Sequence, residues 1–153
     1  MPEAVELELA TRLRVGVMRL ARRLRHEGSQ DITASQLSAL ASVDKKGPLT
    51  LGELAQLERV QPPSMTKIVA HLADTGYVSR SPDPSDGRQV LVAMTKSGRA
   101  LLVATRKRRD AWLEEHLHTL SADDRDALAR AADVIERLAA PEARERAASD
   151  TDS

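Results

Sequence analysis

Thr50-Leu-Gly-Glu53, Val60-Gln-Pro-Pro-Ser-Met-Thr-Lys67 and Pro82-Asp-Pro-Ser-Asp-Gly87 punctuate one continuous stretch, residues 50–98, in which the hydrophobic period changes twice. The first segment is a capping box, a threonine followed at the third position by a glutamate, and it opens a short helix through Leu54, Ala55 and Leu57. Arg59 to Gln61 read as a turn. Pro62 stands where a helix begins, since its missing N–H is no loss at the first helical position. Met65, Ile68, Val69 and Leu72 supply the apolar face of that helix, and Gly76 is placed just past its end. The period then drops to two. Tyr77–Ser81 and Arg88–Met94 are β-like, and the six residues between them are all turn formers, so they predict a hairpin with a polar tip.

Helices flank this stretch on both sides. Thr33-Ala-Ser-Gln36 is a second capping box, followed by Leu37, Leu40 and Ala41, and Asp44-Lys-Lys-Gly-Pro48 breaks that helix. Earlier still, Val5, Leu9, Leu13, Val17, Leu20 and Leu24 recur at spacings of four, four, four, three and four over residues 4–27. Acids lead this first helix and six arginines follow between Arg12 and Arg25, an order that suits the helix dipole, with Gly28 placed to stop it. After the hairpin, Thr95 caps a long helix to about His118, with Leu101, Leu102, Trp112, Leu113 and Leu117 as candidate buried positions. Ser121 starts a last helix through Leu128, Ala131, Ile135 and Leu138, which Pro141 ends. The remainder, 141–153, is short and polar and is expected to be disordered.

Composition excludes several functions. The chain has 153 residues, room for one real core, and 41% are hydrophobic. With no Phe, one Tyr and one Trp, that core must come from aliphatic residues and Met. The absence of cysteine removes disulfides, thiolate metal sites and nucleophilic Cys. His116 and His118 are two apart on a helix and point about 200° from one another, while His26 and His71 are isolated, so no metal site is expected. No Ser/His/Asp order, phosphate loop or clustered carboxylates suggest catalysis, so neither enzyme activity nor a cofactor is expected. No apolar run approaches the roughly 20 residues of a membrane span, and the N-terminus lacks a secretory core, which leaves the cytoplasm as the expected location. Lys+Arg and Asp+Glu both number 23, so a nonspecific polycation is excluded, although a local basic face is not.

Two helices joined by a tight turn and followed by a hairpin form the order of a winged helix-turn-helix. Met65, Val69 and Leu72 would pack against Leu54, Leu57 and Leu40. Gln61, Pro63, Ser64, Thr66, Lys67, Ala70 and His71 are left on the outer side. That side is small near the helix N-terminus and carries hydroxyls, an amide and a cation suited to base edges or phosphates in a major groove. The helix end is also expected to offer free N–H groups to a phosphate. On the hairpin tip, Arg88 can enter a narrow minor groove, with Asp86 holding its guanidinium in line. Taken singly, these features also describe a solvated helix face and a surface salt bridge.

From Leu49 to Leu102 the chain resembles the multiple-antibiotic-resistance (MarR) type of bacterial regulator. The resemblance lies in Leu54-Ala55, Val60–Lys67, Leu72-Ala-Asp-Thr-Gly-Tyr-Val78, Asp83–Arg88 and Val90–Leu101, and the Asp-x-Arg wing followed by Thr-x-x-Gly is its more specific part. It implies a mainly α fold with a small β-hairpin wing, a single domain over 1–140. Within it, 32–99 would be the DNA-binding lobe, and 4–28 and 100–140 dimerisation helices. By the same resemblance Pro63, Ser64, Thr66 and Lys67 lie in the major groove and Arg88 in the minor groove, supported by Asp86. The chain departs from the pattern at Arg59, where the turn often has Gly, and at Lys67, where Arg is frequent and would make a bidentate fork that Lys cannot.

The apolar stripes of the outer helices exceed what a 50-residue winged core covers, which implies a partner chain. The expected function is a homodimeric regulator, a repressor of nearby genes, binding an inverted repeat in double-stranded DNA with its two reading helices about 34 Å apart. The basic patches Arg19, Arg22, Arg23, Arg25 and Arg106, Lys107, Arg108, Arg109 read first as solvated faces or phosphate flankers. The resemblance implies the sharper alternative, that one or two of their arginines line a pocket and pair with a small phenolic or carboxylate ligand that releases the DNA. The alternative is a winged-helix docking module for other proteins without specific DNA binding.

Overall fold

The computed structural model describes residues 2–28 and 31–140; the expected tail lies outside them. Six helices and three short strands follow in the order α1 (Pro2–Gly28), α2 (Ala34–Lys46), β1 (Leu49–Thr50), α3 (Leu51–Glu58), α4 (Pro62–Asp74), β2 (Val78–Pro82), β3 (Val90–Met94), α5 (Lys96–His118) and α6 (Ala122–Ala139). The chain divides into two compact units, Met1–Trp112 and Leu113–Ser153.

Both capping boxes form. Thr33 Oγ1 accepts from the Gln36 N–H while Gln36 Oε1 accepts from the Thr33 N–H, and Thr50 and Glu53 repeat the exchange. Thr50 also belongs to β1, which sequence patterning does not reveal because two residues carry no alternation. β1 pairs antiparallel with β3, which pairs antiparallel with β2, giving the order β1-β3-β2. The hairpin therefore becomes a three-stranded sheet anchored to the start of α3.

The core of the first unit gathers Leu37, Leu40 and Val43 from α2, Leu54 and Ala55 from α3, Met65, Val69 and Leu72 from α4, and Val78, Val92 and Leu102. Truncating a fully buried leucine such as Leu40, Leu54 or Leu72 to alanine costs about 2–5 kcal/mol in such a setting. Leu57 does not join them: it is 45% exposed. The inward stripe of α3 is 51, 54, 55 and 58, and Leu57 sits about 200° round the helix from Ala55. The long α5 is likewise less buried than its leucines suggest. Only Gly98, Leu102 and Thr105 are buried, at a spacing of four and three, while Leu101, Trp112, Leu113 and Leu117 are half-buried.

The end of α4 is a full Schellman closure. Gly76 lies at φ +80, its N–H donates to the Ala73 carbonyl at 3.0 Å, and the Tyr77 N–H reaches the Leu72 carbonyl at 2.8 Å. The turn before α4 repeats this closure with Arg59 in the glycine place, at φ 54 and ψ 42: its N–H donates to the Gln56 carbonyl at 3.2 Å and the Val60 N–H to the Ala55 carbonyl at 3.0 Å. A side chain in this left-handed region costs about 1–2 kcal/mol, which explains why glycine would suit the position.

α5 starts against this closure. Thr95 Oγ1 donates to the Gly76 carbonyl at 2.6 Å and accepts from the Gly98 N–H at 3.1 Å. A Cβ on Gly98 would lie 2.1 Å from the Tyr77 carbonyl oxygen and 2.7 Å from Met94 Sδ. The spacing Thr-x-x-Gly is thus a packing requirement. Gly98→Ala is expected to destabilise the fold by about 2–3 kcal/mol, because the obstacle is backbone. Urea unfolding measures it, and a midpoint equal to that of the native chain would refute the contact.

Candidate nucleic-acid interface

The amphipathic division of α4 follows the expected lines. Met65, Val69 and Leu72 are buried, whereas Gln61, Pro63, Ser64, Thr66, Lys67 and His71 are exposed and Ala70 is half-buried. The Thr66 hydroxyl donates to the Pro62 carbonyl at 3.0 Å, which uses its one donor and leaves it acceptor capacity. Lys67 makes no ion pair with the described residues. His71, one turn beyond Lys67, borders a hollow of about 390 Å³ with Asp31, Ile32, Thr33 and Gln36.

One expectation fails at the N-terminus of α4. Pro62 and Pro63 have no N–H, and the Ser64 N–H donates to the Gln61 carbonyl at 3.0 Å. The helix end therefore keeps its dipole but does not offer a phosphate the usual fan of free backbone donors. The Gln61 side chain makes no cap bond either.

The wing tip is held by its own carboxylates. Asp83 Oδ1 accepts from the Ser85 N–H at 2.9 Å and from the Ser85 hydroxyl at 2.7 Å, and these bonds hold the Asp83 carboxyl below its ordinary pKa. Asp86 Oδ1 accepts from the Arg88 N–H at 3.1 Å and from Arg88 Nε at 3.2 Å. The Arg88 side chain is 93% exposed. Its Nε is engaged, so the two terminal nitrogens face outward on a directed stem. An exposed pair of this kind contributes only about 0–1 kcal/mol to stability, so what it supplies is aim.

The arginine patches of α1 and α5 resolve into distinct roles. Arg23 pairs with Glu27 at 2.8 Å and lies 5.4 Å from the centroid of the Trp112 ring. Arg99 and Arg106 both face Asp44, at 3.4 and 3.9 Å. Arg108 donates to the Gly28 carbonyl at 2.8 Å and to Thr105 Oγ1 at 3.4 Å. Gly28 does more than end α1: a Cβ there would meet Arg109 Nε at 2.4 Å, so α1 and α5 touch through it. Arg25 and Arg109 instead border a cavity of about 220 Å³ with Ala34, Leu37, Ser38 and Ala41. Burial, and secondarily the Arg25 guanidinium, pull the Arg109 pKa down, and Arg109 Nε is buried without a hydrogen-bond partner.

Ser38 connects that cavity to the end of α3. Its hydroxyl donates to Glu58 Oε2 at 2.6 Å, and the Ser42 hydroxyl donates to Glu58 Oε1. Glu58 is the last residue of α3, immediately before the turn into α4. Sequence patterning misses this clamp, because serines twenty and sixteen residues from a glutamate carry no local signal. Among the described residues no group of three or more His, Asp or Glu is placed to hold a metal ion, and no helix is long and apolar enough to cross a membrane.

Comparison with known proteins agrees with this geometry. The MarR family model matches residues 32–90. The chain is 51% identical to an HTH-type transcriptional regulator of Mycobacterium leprae, over 87% of this chain and 94% of that one. It is 34% identical to the multiple antibiotic resistance protein MarR of Salmonella typhimurium, over 61% of this chain and 66% of that protein. A crystal structure of a transcriptional regulator from Pseudomonas aeruginosa superposes with a TM-score of 0.78 at 34% identity, covering 88% of this chain and 95% of that one. The mainly helical fold with its small antiparallel wing is shared with that structure. A DNA-binding regulator, and not an enzyme, is therefore what α4 and the wing belong to, and the chain is a member of the MarR family of winged helix-turn-helix transcriptional regulators.

Proposed function

We propose that the chain acts in the cytoplasm as a homodimeric repressor that binds an inverted repeat near its own gene and is released by a small aromatic carboxylate. The observation that carries the reading is the wing, where Asp86 directs an almost fully exposed Arg88. A guanidinium on a thin, rigid tip fits a minor groove of enhanced negative potential. Pro63, Ser64, Thr66 and Lys67, with Gln61 and His71 at the margins, form the face that enters the major groove. Thr66, its donor engaged, contributes an acceptor, and Lys67 reaches a phosphate or a single guanine acceptor without a bidentate fork.

Dimerisation is supported by what the outer helices leave uncovered. Val5, Leu9, Leu13, Val17 and Leu20 of α1 and Leu128, Val134, Ile135 and Leu138 of α6 are all exposed. Each fully covered side chain of this size contributes about 1.5–3 kcal/mol, which a second copy of the same helices can supply. The ligand reading is supported by the Arg25–Arg109 cavity, which two arginines border, and by Ser38, which ties its wall to the end of α3.

Fluorescence anisotropy on the DNA upstream of the gene tests the proposal. Specific binding should exceed that to random duplex at moderate salt. Arg88→Ala should weaken operator binding by about 1–3 kcal/mol, whereas Lys67→Ala should weaken both DNAs alike if it holds phosphate. Equal affinity of the native protein for both duplexes would sink the repressor reading. Leu9→Glu together with Leu13→Glu should convert the dimer to monomer in analytical ultracentrifugation, with operator affinity lost in parallel. A panel of benzoate-type acids should lower operator affinity in the native protein but not in Arg109→Met, which keeps the apolar stem and removes the charge. An unchanged response of that variant would exclude the cavity.

A further inference from the structure

We propose that Arg59 is a phosphate-binding residue of the DNA interface, retained at a glycine-favouring position because its guanidinium supplies what the end of α4 lacks. The proposal rests on the DNA-binding reading and adds a contact to it. Among the described residues Arg59 is the one non-glycine residue with positive φ. The left-handed conformation itself is the ordinary closure of a helix end, but glycine usually occupies it, and a side chain there persists only where something outweighs its cost.

Nothing inside the protein repays that cost through the side chain. Arg59 is exposed and makes no ion pair or side-chain hydrogen bond with the described residues. Its backbone N–H closes α3 onto the Ala55 and Gln56 carbonyls, but a glycine there would do the same. The cation at a helix C-terminus gains a little from the dipole, and α3 is only eight residues long.

The neighbouring helix supplies the reason for a cation. A reading helix ordinarily presents backbone N–H groups to a phosphate at its N-terminus. Here Pro62 and Pro63 remove two donors and the Ser64 N–H is engaged by Gln61. Apart from the Gln61 N–H, a phosphate at this end is left to side chains. Arg59 is two residues before the N-cap Gln61, within about 7 Å of it along the backbone. Lys67 lies on the second turn of α4 and Arg88 on the wing, so neither occupies this end.

A phosphate contact carries no base information, which separates this role from that of Arg88. The test compares the native protein with Arg59→Gly, Arg59→Ala and Arg59→Lys. Anisotropy titrations over a salt series use the DNA upstream of the gene and a labelled duplex of arbitrary sequence, and thermal midpoints are recorded alongside. Arg59→Gly and Arg59→Ala should bind both DNAs about fivefold to tenfold more weakly, with the salt slope reduced by about one per lost contact. Arg59→Lys should retain most of the affinity. Stability should move the other way: Arg59→Gly should melt no lower than the native protein, and Arg59→Ala below Arg59→Gly. Binding of Arg59→Gly within about twofold of native on both DNAs, with an unchanged slope, overturns the contact while leaving the DNA reading intact. Native protein that binds neither duplex overturns both.

Discussion

The Thr95 hydroxyl is the bond on which the joining of α4, the wing and α5 depends. It donates to the carbonyl of Gly76, where α4 has just ended, and accepts from the N–H of Gly98, where α5 begins. The Thr95 N–H meets the Tyr77 carbonyl at 3.2 Å, and Gly98 brings α5 against the same carbonyl. One residue thus joins the end of the reading helix, both strands of the wing and the start of the long helix. None of these elements could define a direction alone, since α3 and α4 are short and a two-stranded ribbon is marginal by itself. Met65, Val69 and Leu72 supply the apolar free energy, and the Thr95 junction converts it into a fixed angle between helix and wing.

Charge is distributed on the same principle. The chain has equal numbers of acidic and basic residues, so any basic face must arise by arrangement. Asp44 takes up Arg99 and Arg106, Glu27 takes Arg23, and the Gly28 carbonyl takes Arg108. Arg59, Lys67 and Arg88 are exposed on the turn before α4, on α4 and on the wing, with Arg88 steered by a carboxylate that leaves its terminal nitrogens open. The Ser38–Glu58–Ser42 clamp places a polar connection between the Arg25–Arg109 cavity and the turn into α4.

Much of this was legible in local patterning. The helices, their caps, the packing side of α4, the hairpin and its Arg all follow from periodicity and short-range chemistry, because each involves residues within a few positions of one another. The Thr33 and Thr50 capping boxes and the Gly76 closure depend on neighbours three to five residues away and formed as expected. Even the double proline that strips α4 of donors is written in the chain. Its consequence is easily overlooked when a helix N-terminus is treated as a generic anion site.

What the sequence by itself determined is therefore the kind and order of the elements and the residues exposed on α4 and the wing. Only the tertiary structure decided the rest. It made β1 a third strand, because a two-residue pairing has no periodic signature until β3 lies beside it. It turned Leu57 outward and left most of the α5 leucines half-buried, because burial depends on which face meets a neighbour and not on hydrophobicity alone. It separated Arg25 and Arg109 from the other arginines, since only folding brings α1, α2 and α5 around one cavity. Contacts across long sequence separations are set by the geometry of the assembled core, and no local pattern encodes them.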